Sequence, residues 1–143
     1  TASVGHHTAA GDLLDGRLDG LGLDFFDVHV YTNDPQIPRG QELAAHARRN
    51  GIPIVVGEFG QRTRDVDDAL QVRVTQAILS SACRYGFAGA FAWRLEDEQA
   101  GDGSHFTFWG RDDTPRPAVN VMQRYGRPRG RVGLGGQIEG LGR

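Results

Sequence analysis

The sequence predicts an α/β fold in which short, buried, parallel strands alternate with amphipathic helices. Apolar runs of strand length alternate with segments whose apolar residues recur at helical spacing. The run 52–57 (IPIVVG) has no polar alternation, as expected of a strand covered on both faces. No return strand follows these units, which favours a parallel sheet. Four βα units form either half of an eight-stranded barrel or a small open sheet, and periodicity does not separate the two.

The first two βα units occupy the first third of the chain. The segment 1–5 (TASVG) is short and has small side chains, so it is expected to be the end of a first strand. Residues 9–18 are expected to form the first helix. Residues 24–31 (DFFDVHVY) predict a second strand from their Phe and Val content. A helix over 41–50 follows, and Gly51 is the residue type that ends helices.

The last two βα units follow the same order. The strand over 52–60 is followed by a long helix over 66–85, whose apolar residues keep helical spacing up to the stop signal at Gly86. Residues 87–93 (FAGAFAW) predict the fourth strand, and residues 119–125 the last short helix.

Composition excludes several kinds of protein. A formal net charge of −2 and a pI near 6.2 provide no basic surface, so neither nucleic acid nor an anionic membrane is an expected partner. No run of eighteen apolar residues predicts a membrane span. The single cysteine, Cys83, excludes an internal disulfide, and its place in an apolar helix predicts a buried core residue.

Residues 1–125 are expected to form one unit, and residues 126–143 a glycine-rich and arginine-rich tail or linker. Because the chain begins at Thr1 without a methionine, we expect it to be a piece of a longer protein. Half a barrel leaves a strand edge and part of its core uncovered. The expected partner is therefore the remaining half of the barrel or a second copy in a self-paired homodimer.

Glu58 is the most informative residue, because a carboxylate ends the buried third strand. In parallel α/β folds, ligands and catalytic groups collect at the C-terminal ends of the strands. Gly57 and Gly60 on either side favour a functional role, since they leave room for a substrate. The alternative is a structural carboxylate paired with Arg62 or Arg64.

Two other strands end in side chains suited to chemistry. His29 and Tyr31 are two residues apart on one strand, so both face the same way. Their alternative interpretation is a core histidine and a rim tyrosine. Trp93 ends the fourth strand, and its alternative is a core aromatic residue.

The strand ends read His29-Val30-Tyr31, Gly57-Glu58-Phe59-Gly60 and Ala92-Trp93, about thirty residues apart. In this order and spacing they resemble the clan A glycoside hydrolases, retaining (β/α)8-barrel enzymes that include cellulase-like and mannanase-like endoglycanases. The resemblance covers roughly residues 1 to 125. It implies that the three strands are the sixth, seventh and eighth of a TIM barrel, so that the chain is the C-terminal half.

The resemblance also implies a function, the hydrolysis of β-linked glycans with retention of configuration. Glu58 is then the nucleophile, and Tyr31 donates a hydrogen bond that keeps it ionised. His29 contacts the sugar or the general acid/base, and Trp93 stacks on the apolar face of a sugar ring. The acid/base is a second glutamate, which the resemblance assigns to a fourth strand upstream of Thr1.

Further candidates are weaker. His6 and His7 follow the first strand and are predicted to line a substrate subsite, and Asp34 to bind sugar hydroxyls. A metal triad of His6, His7 and His29 is disfavoured, because adjacent histidines on a strand point to opposite faces. No cofactor is expected.

Two alternatives to this hydrolase stay open. A carboxylate of the cluster 96–98 (EDE) is a possible substitute acid, although such clusters are more often solvated. The chain is otherwise a non-catalytic carbohydrate-binding or scaffold barrel fragment, or an enzyme of the same fold with different chemistry. The sequence does not identify the glycan, and cellulose-like and mannan-like substrates both fit.

Overall fold

The computed structural model describes residues 2–4, 9–34, 36–63, 65–95, 106–110 and 114–126. It confirms the predicted alternation of strand and helix. In chain order the elements are β1 (Ala2–Val4), α1 (Ala9–Leu14), β2 (Phe26–Val30), α2 (Gly40–Asn50), β3 (Ile54–Phe59), α3 (Asp68–Tyr85), β4 (Gly89–Ala92) and α4 (Ala118–Gly126).

The four strands form one parallel sheet in the order β1-β2-β3-β4. Each strand lies beside the next one along the chain, and a helix makes the connection between them. The described residues therefore form four consecutive βα units, and such units repeat in a (β/α)8 barrel.

The helices cover one face of this sheet, which we call the outer face. It carries six apolar side chains that are at most 4% exposed and belong to the hydrophobic core: Phe26, Val28, Val30, Ile54, Val56 and Phe59. The opposite face is called the inner face and carries the alternate residues, among them Asp27 and His29 of β2. On β4 the register places Phe91 on the inner face, where it is 61% exposed.

A β-bulge interrupts β3 near its C-terminal end. Val28 of β2 pairs with Val56, but the next residue, His29, pairs with Glu58, so β3 contains one additional residue, Gly57. The register against β4 shifts over the same interval. Because a bulge reverses the alternation of a strand, Glu58 lies on the inner face although Val56, two residues earlier, lies on the outer face.

Two helices have an end that lies two or more residues from its predicted position. The first ends at Leu14 rather than at residue 18, because the chain enters a turn in which Gly16 has a φ of 74°. The third begins at Asp68 rather than at residue 66. The side chain of Asp67 caps it by accepting a hydrogen bond from the Leu70 N–H at 2.6 Å.

The prediction that Cys83 is a core residue was wrong, because its side chain is exposed. The buried side of α3 near this point consists of Ile78, Leu79 and Ala82. One residue further along a helix rotates the side chain by about 100°, and this step carries Cys83 out of the buried side.

No described helix is long and apolar enough to cross a membrane. The predicted tail lies outside the described residues, except for Gly126, which ends α4.

Candidate active site

Glu58 lies at the C-terminal end of β3 beside two side chains of the β2 end. The Tyr31 hydroxyl donates a hydrogen bond to Glu58 Oε2. His29 Nδ1 lies 3.3 Å from the same oxygen. The Glu58 side chain is 26% exposed, so a ligand can reach it. Three of the candidate residues are thus in mutual contact, because the bulge turns Glu58 to the face that His29 and Tyr31 share.

Tyr31 is held in its neutral form. Burial raises the pKa of the Tyr31 phenol well above its usual value of 10, and the hydrogen bond to Glu58 and the negative charge of Glu58 raise it further. Tyr31 therefore remains a hydrogen-bond donor to the carboxylate through the neutral and mildly alkaline range.

Asp27 is an acidic residue of this cluster that sequence reasoning missed. It is only 8% exposed, and its Oδ2 lies 3.5 Å from His29 Nε2. The His29 imidazole therefore stands between two carboxylates, those of Asp27 and Glu58. The available signal was the alternation of β2, because residues 27, 29 and 31 share one face.

The two glycines beside Glu58 have a different role from the predicted one. A Cβ at Gly57 would overlap the Asp27 carboxylate, and a Cβ at Gly60 would overlap the backbone carbonyl of Trp93. Close packing of neighbouring protein atoms thus accounts for both glycines, without reference to a substrate.

Trp93 follows β4 directly, at the same edge of the sheet as Glu58. Its backbone N–H donates to the carbonyl of Phe59 at 2.8 Å, and its peptide bond to Arg94 is cis. The residue is 40% exposed, so its indole is available for contact with a ligand.

A cleft of about 430 Å³ adjoins Tyr31, the residue that bonds Glu58. Its volume lies in the range of small-molecule sites. Its wall consists of Tyr31, Thr32, Asn33, Gly60, Gln61, Arg62, Asp65, Val66 and Phe106. Neither Glu58 nor Trp93 is part of this wall, so Tyr31 is the link between the cleft and the carboxylate.

The cleft has a polar side and an aromatic side. Gln61 is 3% exposed and donates from Nε2 to the Thr32 carbonyl at 3.3 Å, while its Oε1 has no hydrogen-bond partner among the described residues. Phe106 packs edge-on against Tyr31, with 5.3 Å between ring centroids, and the Arg62 guanidinium lies 6.0 Å from the Phe106 centroid. The described part of the wall contains one cation, Arg62, and one carboxylate, Asp65, and this balance suits a neutral, hydroxyl-rich ligand.

Sequence reasoning did not find Gln61 or Phe106. Gln61 lies just beyond the Glu58 strand, so its position was the available signal. Phe106 belongs to no helix or strand and is joined to Arg62 by an isolated bridge between distant segments, which no local pattern indicates.

Another predicted residue, Asp34, is not part of this cluster. Asp34 is exposed, and its backbone N–H donates to Thr32 Oγ1 at 2.9 Å, while the neighbouring Thr32 and Asn33 form the cleft wall. His6 and His7 lie outside the described residues, as do Arg64 and the acidic cluster 96–98. Within the described ranges, no group of three His, Cys, Asp or Glu side chains is arranged to hold a metal ion.

No protein-family model and no curated protein sequence matches the chain. Solved structures do match it. An endoglucanase aligns with a TM-score of 0.55 at 17% identity, over 72% of this chain and 40% of its own. A triple mutant of an endo-β-1,4-glucanase from Xanthomonas axonopodis pv. citri aligns with a TM-score of 0.53 at 16% identity, over 71% and 36%. Another endo-β-1,4-glucanase from that organism gives 0.51 at 14%, over 75% and 37%.

These matches distinguish between half a barrel and a small open sheet, which periodicity did not separate. The neighbours are (β/α)8 barrels, so the chain has the fold of a partial barrel rather than of a small open sheet. The chain spans between 36% and 40% of the length of these neighbours. At identities of 14–17% the likeness to these glucanases shows the fold alone and leaves activity to be argued from the site.

Proposed function

We propose that this chain carries the nucleophile side of a retaining glycoside hydrolase that cleaves β-linked glycans. Glu58 is the nucleophile, Tyr31 and His29 hold its carboxylate, and Trp93 provides an aromatic platform for a sugar ring. The observation that carries the proposal is the Glu58 carboxylate, which lies at the C-terminal end of a barrel strand with Tyr31 and His29 both at its Oε2.

In the proposed reaction Glu58 attacks the anomeric carbon of the substrate. The bond from this carbon to the leaving-group oxygen breaks as the ester to Glu58 forms, and an acid protonates that oxygen. Water then displaces the ester, giving up a proton to the same group and releasing Glu58. Both side-chain contacts are to Oε2, so we assign the attack to Oε1.

The mechanism requires a second carboxylate about 5 to 5.5 Å from the first. Asp27 is a poor candidate, because it is buried and lies behind His29. We assign the acid/base to the part of a complete barrel that this chain does not cover.

The cleft beside Tyr31 is the proposed site for further sugar units. Asn33 and Arg62 offer polar groups for sugar hydroxyls, and the half-buried ring of Phe106 offers an apolar surface. Because Arg62 and Asp65 both line the cleft, a neutral glycan is a better match than an anionic one. The choice between a cellulose-like and a mannan-like chain stays open.

Trapping the covalent intermediate tests this proposal. The full-length protein is incubated with 2-deoxy-2-fluoro β-glucosides and β-mannosides that carry an activated leaving group, and labelled peptides are mapped by mass spectrometry. Such a leaving group departs without protonation, so the label depends on the nucleophile. We expect the label on Glu58, and the reagent that reacts identifies the sugar.

Glu58→Gln should abolish labelling and lower hydrolysis on the order of 10⁴-fold or more, the scale for removing a nucleophile. The matched control is Glu42→Gln, because Glu42 is an exposed glutamate of α2 paired with Arg39. Hydrolysis with a label on another carboxylate would refute Glu58 as nucleophile. Glycan binding without labelling or hydrolysis would favour the alternative, a non-catalytic carbohydrate-binding barrel fragment.

A further inference from the structure

Asp27 is a buried acidic residue that the proposed reaction does not use. It is 8% exposed, and its Oδ1 has no hydrogen-bond partner among the described residues. Burying a carboxylate without full hydrogen bonding is unfavourable. An apolar residue at this position of β2 would avoid that cost, so the stability of the sheet does not explain the aspartate.

The surroundings of Asp27 hold its carboxylate in one place. Oδ1 occupies the space above Gly57, where any side chain would overlap it. Oδ2 faces His29 Nε2 at 3.5 Å. The Asp27 carboxylate therefore fills the space that a side chain at position 57 would occupy, and its other oxygen, Oδ2, points at His29.

His29 has two ring nitrogens with different neighbours. Nδ1 lies 3.3 Å from Glu58 Oε2, and Nε2 lies 3.5 Å from Asp27 Oδ2. A neutral imidazole carries a hydrogen on only one nitrogen, and the partner of one nitrogen determines the state of the other. Asp27 and Glu58 are both acceptors that cannot donate when ionised, so Asp27 favours a hydrogen on Nε2 and Glu58 favours a hydrogen on Nδ1.

We propose that Asp27 is a positioning residue that accepts a hydrogen bond from His29 Nε2–H and so fixes the imidazole with Nδ1 towards Glu58. It acts on Glu58 only through His29. The arrangement of the imidazole follows from the geometry alone, while its effect on catalysis rests on the proposed function of Glu58.

The first test is spectroscopic and needs no variant. Long-range ¹H–¹⁵N correlation spectra of the full-length protein distinguish an imidazole nitrogen that carries a hydrogen from one that does not. We expect His29 Nε2 to carry a hydrogen near neutral pH. A His29 Nε2 without a hydrogen would overturn the inference.

Variants then identify the acceptor. In Asp27→Ala the His29 ¹⁵N shifts should move towards the form with a hydrogen on Nδ1, which Glu58 accepts, whereas Asp27→Asn should keep the hydrogen on Nε2, because its amide oxygen still accepts. The matched control is a second histidine–aspartate pair, in which His46 Nε2 lies 2.8 Å from Asp19 Oδ1. Asp19→Ala should change the His46 shifts and leave those of His29, and unchanged His46 shifts in Asp27→Ala verify that this variant is folded. Identical His29 shifts in wild type and folded Asp27→Ala would refute the role of Asp27.

Kinetics separates this inference from the proposed function. If Glu58 is the nucleophile, Asp27→Ala should lower kcat about 10- to 100-fold, the scale found for residues that orient a functional histidine. KM should change little, and Asp27→Asn should restore most of the rate. If Glu58 is not labelled but His29 has the expected Nε2–H form, the proposed function fails and the positioning role stands. If Glu58 is labelled and kcat of Asp27→Ala is unchanged, the positioning role fails alone.

Discussion

The two faces of the sheet carry different kinds of side chain. On the outer face, apolar side chains of β2 and β3 are at most 4% exposed and pack against the helices. On the inner face of the same strands lie Asp27, His29 and Glu58, and Phe91 of β4 is 61% exposed. Neighbouring residues of one strand thus belong either to the packed apolar face or to the polar face, because successive side chains point to opposite faces.

The comparison shows that apolar side chains are less well covered on the inner face than on the outer face. In a (β/α)8 barrel, side chains from all eight strands fill the interior. Here Phe91 and Trp93 remain accessible on this face. The prediction that a remaining half barrel or a second copy covers the inner face follows from this exposure, and it stays a prediction.

The largest expected effect is the difference in stability loss between matched Phe→Ala variants on the two faces. Phe26 of the outer face is 0% exposed, so Phe26→Ala should destabilise the protein by about 3–5 kcal/mol through lost burial and a residual cavity. Phe91→Ala on the inner face should change the free energy of unfolding by less than about 0.5 kcal/mol. Urea unfolding of the 143-residue chain by itself measures both. Similar losses for the two variants would mean that the inner face is covered in solution.

The bulge at Gly57 places Val56 on the outer face and Glu58 on the inner face of the same strand. Gly57→Ala should cost about 1–3 kcal/mol, since the new Cβ overlaps Asp27. Gly89→Ala is the control, because no atom lies within 4 Å of its Cβ position. Adding Asp27→Ala to Gly57→Ala should recover part of the loss, measured as a double-mutant cycle of unfolding free energies. Strict additivity of the two substitutions would argue against the overlap.

The smallest expected effect concerns the pH dependence of Tyr31. Folding raises its phenol pKa above the ordinary value of 10, so the folded protein holds this proton more tightly than the unfolded chain. The resulting stabilisation is complete below pH 10 and is lost as the pH rises through the higher pKa of the folded state. The difference in unfolding free energy between wild type and Tyr31→Phe should therefore be constant up to about pH 9. Above that pH the wild type should lose stability relative to Tyr31→Phe, as measured by urea unfolding at each pH. A constant difference through pH 11 would contradict the raised pKa of Tyr31, to which burial contributes most and Glu58 adds.

Much of the outer face could be predicted from the sequence. The apolar runs and helical spacing are local patterns, and they located all eight described elements to within a few residues, with the largest error at the end of α1. Cys83 was misplaced because a helix rotates by about 100° per residue, so an error of one position changes the face.

The inner face was predictable only in part. His29, Tyr31 and Glu58 could be placed together, because parallel strands end at the same edge of a sheet. The roles of Asp27 and Gly57 depend on contact between two strands separated by about thirty residues of sequence. The contact of Phe106 with Tyr31 joins segments still farther apart, and no local pattern encodes it.

By itself the sequence determined the order of strands and helices, the parallel sheet and the strand ends at which the polar groups stand, because these follow from short-range patterns of apolar and polar residues. Only the tertiary structure decided which face Glu58 occupies. Simple alternation from Val56 places Glu58 among the apolar side chains of the outer face. The additional residue at Gly57, accommodated because the Asp27 carboxylate fills the space of a missing side chain, turns Glu58 towards His29 and Tyr31.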